Sequence, residues 1–99
     1  MRVATICGDQ FNNYEVYENK LDDINPSLVI TDGNYKFAKK YCIERDIPTI
    51  SYLEFEEGVT RSAEILQRCD KLVVFCKNIL PIIDAAKIEC KMVEVVDNW

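Results

Sequence analysis

The stretch Val3-Ala4-Thr5-Ile6-Cys7-Gly8-Asp9 decides the fold, because a short apolar run rich in β-branched side chains ends there in a glycine and an acidic residue. This pattern is typical of a buried strand followed by a turn. The arrangement recurs at Leu28-Val29-Ile30-Thr31, which Asp32-Gly33-Asn34 follows. Both runs are continuously apolar rather than alternating, as expected when helices cover both faces of a parallel sheet.

Helical patterns separate these runs. A first helix is predicted by apolar residues at helical spacing between Tyr14 and Ile24, and Asn12 with Glu15 three residues later resembles a capping box at its start. A second helix is predicted from about Tyr35 to Arg45, with its lysines facing solvent. Its predicted inward-facing residues are Ala38, Tyr41 and Cys42.

The second half of the chain continues the alternation of strands and helices. Pro48 fits the start of a strand, where a missing N–H is tolerated, and Pro81 fits the first turn of a helix. The further predicted elements are a strand over Ile47–Tyr52, a helix from Thr60 to Cys69, a strand over Leu72–Cys76, a helix from Pro81 to Cys90, and a strand over Met92–Val96.

Five strands interleaved with about four helices predict a single α/β domain over residues 1–99. We expect a Rossmann-like, doubly wound parallel sheet with strand order 3-2-1-4-5. Ligands bind such sheets beyond the carboxyl ends of the strands, where the winding direction reverses. For this order the reversal lies between strands one and four, so the segments Cys7–Phe11 and Cys76–Leu80 are predicted to flank one crevice.

Composition narrows the choice of partner. The chain has 12 basic and 17 acidic residues, a net charge of −5, and no histidine. Proteins that bind nucleic acid usually carry a stripe of basic residues. The nearest equivalent here is the set Lys36, Lys39 and Lys40, which is more simply explained as the solvent-exposed face of a helix. Nucleic acid is therefore not expected as a partner. A small anionic ligand is compatible with these numbers, because a few backbone N–H groups and one arginine suffice to hold it.

Five cysteines raise the question of disulfides or metal. Their number is odd, they form no C-x-x-C pair, and no histidine completes a mixed site, so we predict reduced, buried thiols and no metal centre. The residues before Gly8 are too few for a signal peptide, and no apolar run is long enough for a membrane span. A cytoplasmic protein without a membrane partner is expected.

Several residues near the predicted strand ends are candidates for ligand binding. Gly8 permits close approach of the backbone, although an ordinary turn would also use it. Asp9 and Asp32 could accept hydrogen bonds from ribose hydroxyls, or could simply form turns. Phe11 and Tyr52 could stack on a base, or could belong to the core.

Arg61 is the best individual candidate for holding an anion, because it lies near the start of a predicted helix that should open toward the same crevice. A guanidinium there could bind phosphate or carboxylate in bidentate fashion. The alternative is a solvated arginine paired with Glu57 or Glu64. Cys7 and Cys76 lie at adjacent predicted strand ends and could form a reactive pair. Little positive charge surrounds them in the sequence, so activated thiols are not expected there.

The opening Val3–Phe11, followed by Tyr14, resembles the start of a family of small proteins in the SLOG superfamily, the Rossmann-like group that contains the DNA-uptake protein DprA and the LOG enzymes. In that family the first strand typically ends in Gly-Gly-Arg-Asp-Phe. The similarity continues in order along nearly the whole chain. The further segments that resemble family motifs are Leu28–Gly33, Ala38–Pro48, Arg61–Leu66 and Cys69–Phe75.

The resemblance implies a nucleotide-like ligand, which we expect at the carboxyl ends of the strands and at Arg61, the residue that matches the family's arginine. The predicted ligand-binding residues are Gly8, Asp9, Phe11, Asp32, Gly33, Asn34, Arg61 and Asn78. The chain departs from the family after strand four, where Lys77–Pro81 replaces a glycine-rich loop that cradles phosphate. The catalytic glutamate of LOG-type enzymes has no counterpart either.

Three functions follow as hypotheses. The first is a non-catalytic domain that captures a nucleotide or nucleotide-derived signal, as a sensor or sponge of prokaryotic or phage origin, without a cofactor. The second is an enzyme resembling nucleotide N-glycosidases and deoxyribosyltransferases, which would work through Asp9, Asp84 or Glu64. The third is an oligomeric interaction protein that pairs through Trp99 or an exposed helix. We expect a homo-oligomer, and we favour the first hypothesis.

Overall fold

The computed structural model describes residues 1–31, 35–51, 64–77, 81–88 and 91–99. Residues 64–68 are the described part of helix α3. The strands are β1 (Arg2–Cys7), β2 (Leu28–Thr31), β3 (Thr49–Ser51), β4 (Lys71–Phe75) and β5 (Met92–Val95). The other helices are α1 (Tyr14–Ile24), α2 (Lys36–Arg45) and α4 (Pro81–Ile88).

The five strands form one parallel sheet in the order β3-β2-β1-β4-β5, which confirms the predicted architecture. In the register of the sheet, Val3 of β1 lies between Val29 of β2 and Lys71 of β4. The winding therefore reverses between β1 and β4, and the segments after these two strands begin side by side.

The core has two halves, one on each face of the sheet. Val3 and Cys7 of β1 pack with α1 and α2, whereas Ala4 and Ile6 pack with α3 and α4. Every one of these four side chains is buried. Burial on both faces explains why the central strands are apolar without alternation, as the sequence predicted.

Helix α1 begins one residue later than the capping pattern predicted. The predicted box of Asn12 with Glu15 is wrong, because the Asn13 side chain is the cap and accepts a hydrogen bond of 3.3 Å from the amide of Val16. The helix ends at Ile24, and the next residue, Asn25, adopts the left-handed conformation with φ of 57° and donates its amide to the carbonyl of Leu21. Asparagine tolerates that conformation better than most residues.

Helix α2 follows its prediction closely. Ala38, Tyr41 and Cys42 are buried, and the lysines are exposed. Arg45 in its last turn joins α2 to α1, because Nε lies 2.9 Å from Oδ1 of Asp22 and the guanidinium lies over the ring of Tyr41. The same carboxylate oxygen accepts a 2.8 Å hydrogen bond from the Tyr41 hydroxyl.

The remaining elements differ from prediction mainly at their ends. Strand β3 begins at Thr49, two residues later than predicted, and the predicted last residue, Tyr52, lies outside the described residues. The carbonyl of Pro48, just before the strand, accepts from the amide of Val29 at 3.1 Å. Strand β4 starts one residue earlier, at Lys71. Strand β5 stops at Val95, although the amide of Val96 still donates to the carbonyl of Val74 at 2.7 Å.

Two further predictions concern the cysteines and membrane spans. Cys7, Cys42, Cys69 and Cys76 are buried and form no disulfide bond, as predicted, and Cys90 lies outside the described residues. Within the described ranges, no helix has the length and apolar character needed to cross a membrane.

Candidate functional site

The carboxyl ends of β1 and β4 form the floor of the candidate site. The amide of Gly8 donates a 2.9 Å hydrogen bond to the carbonyl of Phe75, and the amide of Phe11 donates to the carbonyl of Gly8 at 3.0 Å. These bonds make a compact turn directly beyond β1. A Cβ atom on Gly8 would lie 3.0 Å from Sγ of Cys76, so close packing of the two segments explains the glycine.

Asp9 and Phe11 have different surroundings in this turn. The side chain of Asp9 is exposed, so its carboxylate is available at the point where the winding reverses. Phe11 is 5 % exposed and stacks on Phe75 with ring centroids 4.9 Å apart, while Phe37 meets it edge-on at 5.6 Å. The structure thus places Phe11 in the core, the alternative that its sequence left open.

Trp99 is a member of this site that the sequence analysis missed. Its indole Nε1 donates a 2.8 Å hydrogen bond to the carbonyl of Val96, and its ring meets Phe11 edge-on at 4.9 Å. Lys77, the second residue after β4, holds its ammonium 4.5 Å from the centre of the Trp99 ring. A partly exposed aromatic ring and a cation therefore lie beside the turn that follows β1.

The position of Trp99 follows from the strand order. Strand β5 is a direct neighbour of β4, so the residues after β5 emerge at the same edge of the sheet as Lys77. The sequence analysis assigned Trp99 only to a subunit contact. In the structure its ring packs within its own chain, against Phe11 and beneath Lys77.

Five of the predicted binding residues cannot be placed. They lie outside the described residues, together with Tyr52 and Glu57 of the alternatives above. These binding residues are Asp32, Gly33, Asn34, Arg61 and Asn78. Their roles remain predictions, and the described part of the site consists of Gly8, Asp9 and their neighbours.

Thr31, the last residue of β2, borders the same end of the sheet. Its side chain is 0 % exposed, and its hydroxyl has no hydrogen-bond partner in the described structure. Thr5, its partner in β1, has a hydroxyl 3.0 Å from the hydroxyl of Tyr17. Burial raises the pKa of Tyr17 far above its usual value, so this pair remains neutral.

A separate open groove of about 500 Å³ runs between α1 and the end of β5. Its ionisable lining is mostly acidic, with Asp23, Glu94 and Asp97 against Lys20. Glu94 is already bonded to Lys20 and to Lys71, whose ammonium lies 3.0 Å away, and these partners lower the pKa of Glu94. The groove is therefore poorly suited to an anionic ligand and lies apart from the turn at Gly8.

Of the described thiols, Cys7 and Cys76 lie at the β1–β4 end, whereas Cys42 lies in α2 and Cys69 precedes the amino end of β4. Burial raises the pKa of Cys42 and of Cys69, which keeps both thiols protonated at neutral pH. Asp84 is exposed in the first turn of α4, where a carboxylate interacts favourably with the helix dipole. Glu64 is half-buried in α3.

No protein-family model, curated protein or solved structure matches this chain. The resemblance to the SLOG superfamily therefore stays a prediction. What can be inferred about function rests on the fold and on the residues at the carboxyl ends of the strands.

Proposed function

We propose that this chain is a binding domain that captures a nucleotide or a nucleotide-derived signal and releases it unchanged. The observation that carries the proposal is the meeting of the turn at Gly8 with the end of β4, at the point where the sheet reverses its winding. Sheets of this kind bind ligands at that point.

The side chains at this point suit the parts of a nucleotide. The exposed carboxylate of Asp9 can accept hydrogen bonds from ribose hydroxyls. Lys77 supplies a cation for a phosphate, and the partly exposed ring of Trp99 offers a surface for a base. The amide of Gly8 is already bonded to Phe75, so side chains rather than this amide would make the contacts.

Capture without turnover fits the surroundings of Asp9 better than catalysis does. A carboxyl group that acts as a general acid near neutral pH has to be protonated at that pH. It therefore generally lies in an apolar pocket, because such surroundings favour the uncharged form. Asp9 is exposed to water. The hypothesis of an N-glycosidase-like enzyme is thus the second choice, and it is tested by the fate of the ligand.

The test is a thermal-shift screen of the full chain against nucleotides, ADP-ribose and cyclic dinucleotides. A ligand at ten times its Kd stabilises the folded state by about 1.4 kcal/mol, which raises the Tm of a domain of this size by roughly 5–10 °C. Trp99 is the chain's one tryptophan, so its fluorescence reports binding at this site directly. Chromatography of the recovered ligand separates capture from cleavage.

Variants locate the binding. Asp9→Asn and Lys77→Gln are expected to weaken binding. The matched controls are Asp84→Asn and Lys87→Gln, which make the same two charge changes on exposed residues of α4. The proposal fails if no compound shifts Tm or Trp99 fluorescence, or if the ligand is recovered cleaved. A stable oligomer with no ligand response, measured by light scattering, would favour the interaction protein instead.

A further inference from the structure

An open groove flanks α1 on the face of the sheet that carries α1 and α2. Within the described parts of the chain, these two helices pack on one face, whereas α3 and α4 pack on the other. The groove has a volume of about 500 Å³, and α1 forms one wall while the end of β5 and the residues after it form the other. A groove between a helix and a strand can hold one face of a further helix.

The charge of this groove comes from two exposed aspartates, Asp23 in the last turn of α1 and Asp97 after β5. Among the residues that the structure describes, neither carboxylate belongs to an ion pair. The third carboxylate of the lining, Glu94, is neutralised by Lys20 and Lys71. Helix α1 also has no basic residue in its last turn, where the helix dipole favours a cation. This acidic groove is therefore suited to ammonium groups.

Helix α2 carries the opposite charge on its outer face. Residues three, four and seven positions apart share one face of a helix, and four exposed residues of α2 follow that spacing. They form the lysine face and are Lys36, Lys39, Lys40 and Ile43. Ile43 is 71 % exposed, and Lys40 lies 4.2 Å from the centre of the Tyr14 ring. In the described structure none of the three lysines belongs to an ion pair.

We propose that the lysine face of α2 docks into the acidic groove of a second copy of this chain. The lysine ammonium groups pair with the carboxylates of Asp23 and Asp97, and Ile43 packs against the half-buried Val16 of the groove wall. Exposed ion pairs contribute little each, so the burial of Ile43 supplies much of the affinity and the charges supply the specificity.

A second copy is the partner because each chain carries both of the complementary surfaces. Helix α1 lies between α2 and the acidic groove, so the lysine face of a chain cannot reach the groove of that same chain. The net charge of −5 makes two copies repel each other at long range, so their association requires a local match of opposite charges. The contact lies apart from the turn at Gly8, and it does not depend on the function proposed above.

The experiment measures the mass of the full chain by sedimentation equilibrium from micromolar to millimolar concentration. The mass of wild type should rise above that of one chain as concentration increases. Raising sodium chloride from about 50 mM to about 500 mM should weaken the assembly, because salt screens exposed charges. A zero-length carbodiimide cross-link joins an ammonium to a carboxylate, so mass spectrometry should recover peptides that link α2 lysines to Asp23 or Asp97.

Charge-reversed variants test the match between the two surfaces. The first variant combines Lys36→Glu with Lys39→Glu, and the second combines Asp23→Lys with Asp97→Lys. Each should raise the Kd of assembly at least about tenfold, because like charges then meet. An equimolar mixture of the two variants should assemble again, because each reversed surface finds one of opposite charge.

The reversed charges should leave the fold intact. A glutamate in the first turn of α2 and a lysine in the last turn of α1 both interact favourably with the helix dipoles, so Tm should not fall. The controls are Asp84→Lys and Lys87→Glu, which reverse charges on exposed residues of α4 and should assemble as wild type does.

Three results would each overturn the proposal. The first is a wild type that stays monomeric at millimolar concentration. The second is an assembly that both reversed variants form as readily as wild type, or that their mixture fails to restore. The third is an assembly whose cross-links join other surfaces of the chain.

Discussion

Arg2 and Asp70 tie the amino ends of β1 and β4 together through both backbone and side chains. The amide of Arg2 donates to Oδ2 of Asp70 at 2.8 Å, and the amide of Asp70 donates to the carbonyl of Arg2 at 2.8 Å. The guanidinium adds bonds of 3.3 Å from Nε and 3.1 Å from Nη2 to the same carboxylate. These bonds lower the pKa of Asp70 to about 2.

The first prediction is that the free energy of unfolding falls in acid, in part because Asp70 becomes protonated. Its pKa is depressed in the folded state, so its contribution to stability is complete above the unfolded value of about 3.9 and is lost as pH falls toward 2. Urea unfolding of wild type should show a flat stability above about pH 5 and a decline below pH 4. Asp70→Asn should be less stable at pH 7 and decline less steeply in acid, since Asp22 and Glu94 supply the remaining slope. Equal pH profiles for the two proteins would contradict this assignment.

The second prediction concerns the packing of Gly8 on Cys76. Gly8→Ala should reduce the free energy of unfolding by about 1–3 kcal/mol, because the added Cβ is only 3.0 Å from the buried Sγ. Cys76→Ala removes that sulfur, so the double variant should be more stable than the sum of the single changes predicts. A double-mutant cycle by urea unfolding measures this coupling. Strict additivity would show that the two residues do not compete for space.

The third prediction concerns the buried pair of Thr5 and Tyr17. Tyr17→Phe leaves the Thr5 hydroxyl buried without a partner and should cost about 1–3 kcal/mol. Combining it with Thr5→Val removes both polar groups, and the double variant should recover much of that loss. Urea unfolding of the four proteins is the measurement. A double variant less stable than Tyr17→Phe would mean that the methyl-for-hydroxyl exchange at Thr5 disturbs the packing.

The fourth prediction concerns thiol chemistry. The described cysteines are buried, and burial raises the pKa of Cys42 and Cys69, so these thiols should react slowly with a disulfide reagent at pH 8. In urea all five thiols of the chain should react at once. A variant with Cys90→Ser isolates the four described cysteines in this comparison. Rapid reaction of more than one thiol in the folded variant would contradict their burial.

The order of the sheet could be predicted because its cause is local and repeated. Each central strand is an apolar run closed by polar or turn-forming residues, and parallel strands with helices between them leave few topologies. The cap of α1 was misplaced by one residue because Asn12 and Asn13 are chemically equal candidates. The extended backbone of Asn13, with φ of −126°, and the hydrogen bond from the Val16 amide to its side chain identify Asn13 as the cap.

The sequence predicted where the candidate site lies better than it predicted which side chains form it. Gly8 and Asp9 lie where the strand order requires, but Phe11 turned inward because Phe37, Phe75 and Trp99 surround its ring. Nothing in a sequence shows that the Thr31 hydroxyl lacks a partner while the Thr5 hydroxyl has one. That difference depends on where Tyr17 of a distant helix places its oxygen.

The bonds between Arg2 and Asp70 lie at the amino ends of the central strands, and the turn at Gly8 lies at their carboxyl ends. Substitutions of exposed residues beyond β1, such as Asp9, leave the bonds between Arg2 and Asp70 and the core of the domain intact. Such a division lets the exposed residues of the turn change by mutation without loss of the bonds that stabilise the opposite end of the sheet. The same division makes it a practical scaffold for selecting new binding specificities in the laboratory.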